Sequence, residues 1–284
     1  MPALPALLAL MRPHQWLKNG FVFAGLLFSH NWHDTALWQR TGLAFAAFCC
    51  ISSLIYILND WRDRASDALH PTKCRRPLAS GAVSPGAAAL LAATLLLAGL
   101  ALAAGNSALL VLLGLYVLLN LAYSWRLKQV PVVDVVIIAA GFMLRLLAGT
   151  LAVGIPPSHW LLLTGLFVAL FLGFSKRKAE SFHEAEQQRA VMAHYPPALL
   201  DTYVAFTMSA TLITYGLYAT SAPSLALHGE RLVYTVPIVL FALLRYVYQV
   251  HQGRGEDVSR DLLRDPWILL SAAAWLLVFL GVRS

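Results

Sequence analysis

The chain has 284 residues, of which 59% are hydrophobic and only 12% charged, with a formal net charge of +7; its mean hydropathy is +0.66. A soluble domain carries about twice that charged fraction. The composition therefore excludes a soluble globular enzyme and predicts one all-α, polytopic membrane domain over residues 1–284. Excess Lys and Arg in such a chain reports topology and contact with anionic headgroups, so the bilayer, not nucleic acid, is the partner it implies.

Met1 to Leu10 is apolar without a basic n-region and reads as an interfacial lead-in, not a cleaved signal peptide. A spanning helix needs about 20 apolar residues. The apolar runs at 15–33, 36–58, 84–104, 107–124, 132–153, 158–175, 198–220, 231–250 and 265–282 predict nine spans. Pro13, Pro85, Pro131, Pro157, Pro197 and Pro266 stand at or near helix starts, where proline is tolerated. One side of the predicted membrane domain receives Arg12, Lys18, Arg62, Arg64, Lys73, Arg75, Arg76, Arg126, Lys128, Lys176, Arg177, Lys178, Arg189, Arg254, Arg260 and Arg264. The other receives only Arg40, Arg231 and Arg283. By the positive-inside rule the first side is cytoplasmic, with the N-terminus inside and the C-terminus outside. The long, charged connections at 60–83 and 176–197 lie on that side, where function is expected. The three cysteines, Cys49, Cys50 and Cys74, have no zinc or disulfide spacing.

The stretch Asn59-Asp60-Trp61-Arg62-Asp63-Arg64-Ala65-Ser66-Asp67 closes the second run. If the helix continues through it, Asp60, Asp63 and Asp67 share one face. Three gathered carboxylates need a cation between them, and oxygen-only ligands favour Mg²⁺, which adds substrate phosphate oxygens to its shell. The alternative is a solvated, charged helix end.

Four further polar stretches surround this one. In Arg12-Pro-His-Gln-Trp-Leu-Lys-Asn19, Lys18 and Asn19 either hold a phosphate or belong to an aromatic-and-basic interfacial anchor. Lys73, Arg75 and Arg76 form a proline-bracketed basic loop that either clamps a polyphosphate or only sets topology. Tyr123, Lys128 and Asp134 make a second cluster, in which Asp134 is a site residue or a helix cap and the other two are site residues or anchors. Arg145 lies eleven residues beyond Asp134, on the same helix face about 16 Å further along. An arginine at that depth faces a polar interior, as a substrate ligand or as a clamp between helices. Lys176-Arg-Lys-Ala-Glu180 opens a helical extension through Arg189; Lys176, Arg177 and Glu180 read as site residues, the remainder as a solvated amphipathic helix.

The pattern Asn-Asp-x-x-Asp-x-x-x-Asp at 59–67, with nine cytoplasm-oriented spans, resembles the first Asp-rich motif of the UbiA-type prenyltransferase superfamily. Within it the chain is similar to the decaprenyl-phosphate phosphoribosyltransferase group. The resemblance is carried by Arg-Pro-x-Gln-Trp-x-Lys-Asn at 12–19, His-Pro-x-Lys at 70–73, Arg-Pro at 76–77, Tyr-x-x-x-Leu-Lys-x-x-x-x-x-Asp at 123–134, Gly141 to Arg145 and Lys176 to Glu180. Cys74 departs from that pattern where a basic residue is expected, and Arg75 is the neighbouring cation that can take its place. Aromatic prenyltransferases of the superfamily carry a second Asp-rich motif where this chain has Lys176-Arg-Lys-Ala-Glu180.

The resemblance implies a UbiA-like helical bundle in the inner membrane with a cytoplasm-facing site. It implies Mg²⁺-dependent transfer of 5-phosphoribose from phosphoribosyl pyrophosphate to a polyprenyl phosphate, for cell-envelope glycan synthesis. Asp60, Asp63 and Asp67 become the metal ligands, and Asp60, Asp63 and Asp134 the catalytic carboxylates. Lys18, Asn59, Lys73, Arg75, Arg76, Tyr123, Lys128, Arg145, Lys176, Arg177 and Glu180 become the substrate-binding set. An aromatic prenyltransferase is the runner-up, and a transporter of a phosphorylated metabolite the reading from another class. Chain length of the lipid and oligomeric state stay open, a homo-oligomer included.

Overall fold

A computed structural model describes residues 4–29, 31–182, 190–255 and 258–281. Every regular element among them is a helix. They form two compact units: residues 1–124 with 144–156, and residues 125–143 with 157–284.

The first unit is built on α3 (Thr35–Arg62). Asp34 starts it, accepting the amides of Ala36 and Leu37 at 2.8 and 3.1 Å, two of the donors a helix start leaves without intrahelical partners. Within its apolar window 61% of the residues are buried, against 22% in each of α5 (Pro85–Leu102) and α6 (Ser107–Trp125), so α3 is the central helix. Ala44, Ala47, Phe48, Ile51 and Ile55 of α3 pack with Ala88, Ala92 and Leu95 of α5 and with Leu112, Leu113 and Tyr116 of α6. Leucines such as Leu90, Leu97 and Leu118 face outward, as helices bathed in lipid require.

Ahead of α3 come α1 (Leu4–Met11), a 3₁₀ run over Pro13–Phe23 and the short α2 (Ala24–Ser29). The 3₁₀ run is eleven residues long, where three or four is usual. Residues three apart eclipse one another in such a helix, so Trp16, Asn19 and Val22 form one column. Trp16 donates to Ser53 of α3 at 3.0 Å, Asn19 to Ser52 at 3.3 Å, and Val22 is buried. Two glycines allow backbones to touch behind this column. A Cβ on Gly149 would lie 1.7 Å from the Val22 carbonyl oxygen, and one on Gly25 would lie 2.2 Å from the Gly149 carbonyl.

In the second unit α8 (His159–Glu180) packs along α9 (Pro197–Thr220), and α11 (Val236–His251) against α13 (Pro266–Gly281). Ser158 caps α8 through the Leu161 amide at 3.1 Å. Val135 at the start of α7 (Val133–Ala148), Phe171 and Phe174 of α8, and Leu200 and Val204 of α9 share its core. The short α10 (Ala222–His228) and α12 (Val258–Arg264) complete this unit, and α4 (Arg64–Ala68) the first.

Two expectations change. Among the described residues six helical segments, not nine, are long and apolar enough to span: Thr35–Arg62, Pro85–Leu102, Ser107–Trp125, Val133–Val153, His159–Glu180 and Glu230–His251. The first expected span is split between a 3₁₀ run and a six-residue helix. The seventh has the length, at 24 residues, but Thr and Tyr dilute it, and the ninth stops at 16 residues. The acidic stretch is also not one helix: α3 ends at Asp63, whose ψ is 4°, and α4 follows. The extension expected past Phe182 lies, at 183–189, outside the described residues, as do Met1 to Ala3 and Arg283.

Gly149→Ala is expected to destabilise the protein by about 3 kcal/mol or more, because neither backbone can yield to an added methyl. The thermal unfolding midpoint of the purified protein, with Gly20→Ala as the uncrowded control, measures it; no atom lies within 4 Å of a Cβ at Gly20.

Candidate active site

The break at Asp63 sorts the three aspartates. Asp60 and Asp67 turn inward with side chains 2% and 6% exposed, while Asp63 is 38% exposed and pairs with its neighbour Arg62 at 3.0 Å. A single nitrogen of Arg76, Nη1, bridges the inward pair, 3.1 Å from Asp60 Oδ1 and 2.7 Å from Asp67 Oδ2. Arg12 adds a second contact to Asp60 at 2.5 Å, with its guanidinium 5.1 Å from the centre of the Tyr56 ring. Arg12 reaches there from a left-handed backbone, φ 55°, at the turn between α1 and the 3₁₀ run. Asn59 Oδ1 accepts from Ser124 at 2.9 Å, and Arg62 donates to the Ser124 carbonyl at 3.0 Å, tying the end of α3 to the end of α6.

No group of three His, Cys, Asp or Glu side chains among the described residues is gathered closely enough to hold a metal ion. Two carboxylates facing one positive atom nevertheless suit Mg²⁺, which binds through one or two carboxylates plus substrate phosphates. The Arg76 guanidinium stands where such a cation would fit. Lys73 and Arg75 of the same loop are exposed, without an ion pair to a described residue.

Deeper in the same unit Arg145 is 5% exposed. It donates to Asn19 Oδ1 at 2.7 Å and to the Tyr116 hydroxyl at 2.8 Å, with its guanidinium 4.6 Å from the centre of the Tyr116 ring. Asn19 also donates to Cys49 Sγ at 3.2 Å. Arg145 of α7 thus joins the 3₁₀ run, through Asn19, to α6, through Tyr116. Lys18 bonds Gln15, so of the neighbouring pair it is Asn19 that enters the core.

The second unit holds its own charged cluster. Asp134 is fully buried; its Oδ2 accepts Arg177 Nε at 2.6 Å and its Oδ1 accepts the Tyr195 hydroxyl at 2.7 Å. Arg177, also fully buried, donates its Nη1 to Glu180 at 2.6 Å. Lys178 lies 2.8 Å from Asp201, which His251 approaches at 3.4 Å. The stretch that looks like a basic patch in sequence is thus largely neutralised by carboxylates from α7, α8 and α9. Lys128, on a 3₁₀ turn over Leu127–Gln129, has no ion pair to a described residue; Tyr123 and Lys176 are half-buried. The residues that sequence reasoning passed over are Arg12, Tyr116, Ser124, Tyr195 and Asp201. Only Arg12 had a signal, its place in the 12–19 motif, and there it reads as an anchor.

Residues 20–269 match the UbiA prenyltransferase family. The chain belongs to that family. This UbiA-family protein is 36% identical over 281 residues to a decaprenyl-phosphate phosphoribosyltransferase of Corynebacterium glutamicum, covering 93% of this chain and 82% of that one. It is 33% identical over 288 residues to the enzyme of the same name from Mycolicibacterium smegmatis, covering 95% and 90%. Among solved structures, a UbiA homolog from Archaeoglobus fulgidus bound to GPP and Mg²⁺ matches with a TM-score of 0.71 and 21% identity, covering 98% of this chain and all of that one. The UbiA-family protein is accordingly a multi-pass membrane protein with the helical-bundle fold of that homolog.

Burial raises the Tyr195 phenol above its ordinary value of 10.0; Val132 N–H pulls it down, and the bond to Asp134 pushes it up again. The phenol stays protonated and donating at neutral pH. Because the folded value is the higher one, stability from this group is complete below about pH 10 and is lost as pH rises beyond it. The unfolding midpoint is expected to fall above that pH, and less steeply in Tyr195→Phe; parallel melts across the alkaline range check the sign.

Proposed function

We propose that this UbiA-family protein transfers 5-phosphoribose from phosphoribosyl pyrophosphate to a polyprenyl phosphate, releasing pyrophosphate. The observation that carries the reading is identity of a third or more, along nearly the whole chain, to proteins named decaprenyl-phosphate phosphoribosyltransferase. The whole chain acts as one transferase domain. The Lys and Arg distribution sets the clusters toward the cytoplasm of a cell whose inner membrane the protein spans.

In the reaction the bond from the anomeric carbon to pyrophosphate breaks, and pyrophosphate leaves with the electron pair. A phosphate oxygen of the lipid forms the new bond from the opposite face. The acceptor is already an anion, so no strong general base is needed, and catalysis rests on positioning and charge stabilisation. Asp60 and Asp67, with Asn59 and Asp63 beside them, would hold Mg²⁺, which supplies neutralisation of the leaving pyrophosphate when bound. Arg76 and Arg12 are then freed from the carboxylates to take phosphate oxygens, together with Lys73 and Arg75. Lys128 and Lys176 are assigned to the acceptor's phosphate. Asp134, Arg177 and Glu180 hold one another and give that segment its shape.

Purified protein incubated with Mg²⁺, labelled phosphoribosyl pyrophosphate and a short polyprenyl phosphate is expected to yield a labelled, organic-extractable product. Activity only with an isoprenyl diphosphate and an aromatic acid would overturn the reading. Asp60→Ala is expected to lower turnover at least about a hundredfold with the protein still folded, several kcal/mol of charge stabilisation being lost. Arg76→Gln separates the roles of one side chain. Calorimetry without the donor is expected to show tighter Mg²⁺ binding, because a competing cation is gone, while KM for the donor rises.

A further inference from the structure

The turn that leads into α7 is under backbone strain. Val132 has φ 66°, a left-handed conformation that a β-branched residue adopts only as an outlier. Its neighbours close around it: the Val133 amide donates to the Pro131 carbonyl at 2.8 Å, a two-residue reach that, with positive φ at the centre, marks a rare and strained γ-turn. A side chain from a distant segment braces this arrangement. The Tyr195 hydroxyl, on a residue 3% exposed, accepts the Val132 amide at 2.5 Å and donates to Asp134 Oδ1 at 2.7 Å. The 3₁₀ turn over Ala190–His194, which leads directly into Tyr195, also packs on the 3₁₀ turn that carries Lys128. On the other flank α8 closes in, since a Cβ on Gly173 would sit 2.6 Å from Val135.

We propose that Tyr195 is a positioning residue: its hydroxyl pins the strained turn at Val132, and so fixes where Lys128 and Asp134 stand for the reaction. The hydroxyl does two things. It gives an acceptor to an amide that the left-handed turn points away from the helix, and it fills the second oxygen of Asp134, whose first is held by Arg177. Without it the turn keeps its backbone bonds, such as the Asp134 amide to the Val130 carbonyl at 3.0 Å, but loses the acceptor of the Val132 amide, which helps offset a conformation that costs of order 1–3 kcal/mol. Val132 would relax to negative φ, and the residues on either side would move with it.

The inference rests on phosphoribosyl transfer only for its activity readout, so the experiment has two arms. Tyr195→Phe keeps the ring and removes the pin; transfer is expected to fall roughly tenfold, about the worth of one net hydrogen bond in the positioned state. Adding Val132→Gly supplies a residue that takes positive φ without strain, and most of the lost activity is expected to return. A side chain needed merely for packing would not be rescued at a different residue. In the second arm, hydrogen exchange of the 128–136 backbone is compared between wild type and Tyr195→Phe, with faster exchange expected in the variant. This arm needs no substrate, so if the wild type fails to transfer phosphoribose the functional reading falls while the pin is still judged. Unchanged exchange, or a Tyr195→Phe defect that Val132→Gly leaves untouched, would overturn the proposal. Should Tyr195→Phe alone not be recovered folded, the double variant decides: folded protein supports the pin, and failure to fold overturns it.

Discussion

A carboxylate cannot leave water without a positive partner, and both polar clusters of this protein are arranged around that cost. Asp60 and Asp67 are buried in the first unit because Arg76 lies between them and Arg12 beside them. Asp134 is buried in the second because Arg177 is buried with it. The two pairings differ in exposure. Arg76 is 30% exposed and Arg12 25%, so water and solutes reach them and their partners can be exchanged. Arg177 has no exposed surface at all, and separating it from Asp134 would strand a charge in the interior. The first arrangement suits a site that must accept and release a charged ligand. The second suits a fixture that keeps its neighbours in place.

The class of fold was legible in the sequence because hydropathy is a bulk property. Few charges and long apolar runs leave only a helical membrane bundle, and α3, α5, α6 and α8 lie close to where those runs place them. Part of the acidic stretch was legible as well: Asp60 and Asp67 do face one another across Arg76, although nothing in the pattern named that arginine as their partner. What stayed hidden depends on backbone detail. A ψ of 4° at Asp63 ends the helix one residue early for the middle aspartate and turns it outward. Nothing in a string of aspartates announces that break.

The basic stretch Lys176-Arg-Lys-Ala-Glu180 shows another limit. Read alone, it is a concentration of positive charge facing an anion. In the folded chain the carboxylates that answer it come from far away in sequence: Asp134 is 43 residues from Arg177, and Asp201 is 23 from Lys178. Charge density along a chain reports only local supply; the balance is struck by tertiary contacts. Tyr195 was invisible for a related reason, because its importance lies in an amide 63 residues away that only the turn at Val132 makes available.

The eleven-residue 3₁₀ run at Pro13–Phe23 bears on how much this protein can change. Its rise of about 2.0 Å per residue stretches it to about 22 Å, so a short segment covers depth that an α-helix would need more residues to cross. The saving comes with rigidity of register. Trp16, Asn19 and Val22 sit in a single file, and inserting or deleting one residue between Arg12 and Phe23 would rotate everything beyond it by about 120°. Asn19 would swing away from Arg145, and the bulky Val22 would no longer abut Gly149. Point changes on the outer sides of that rod should be tolerated during evolution, whereas changes in its length should be among the rarest in the family.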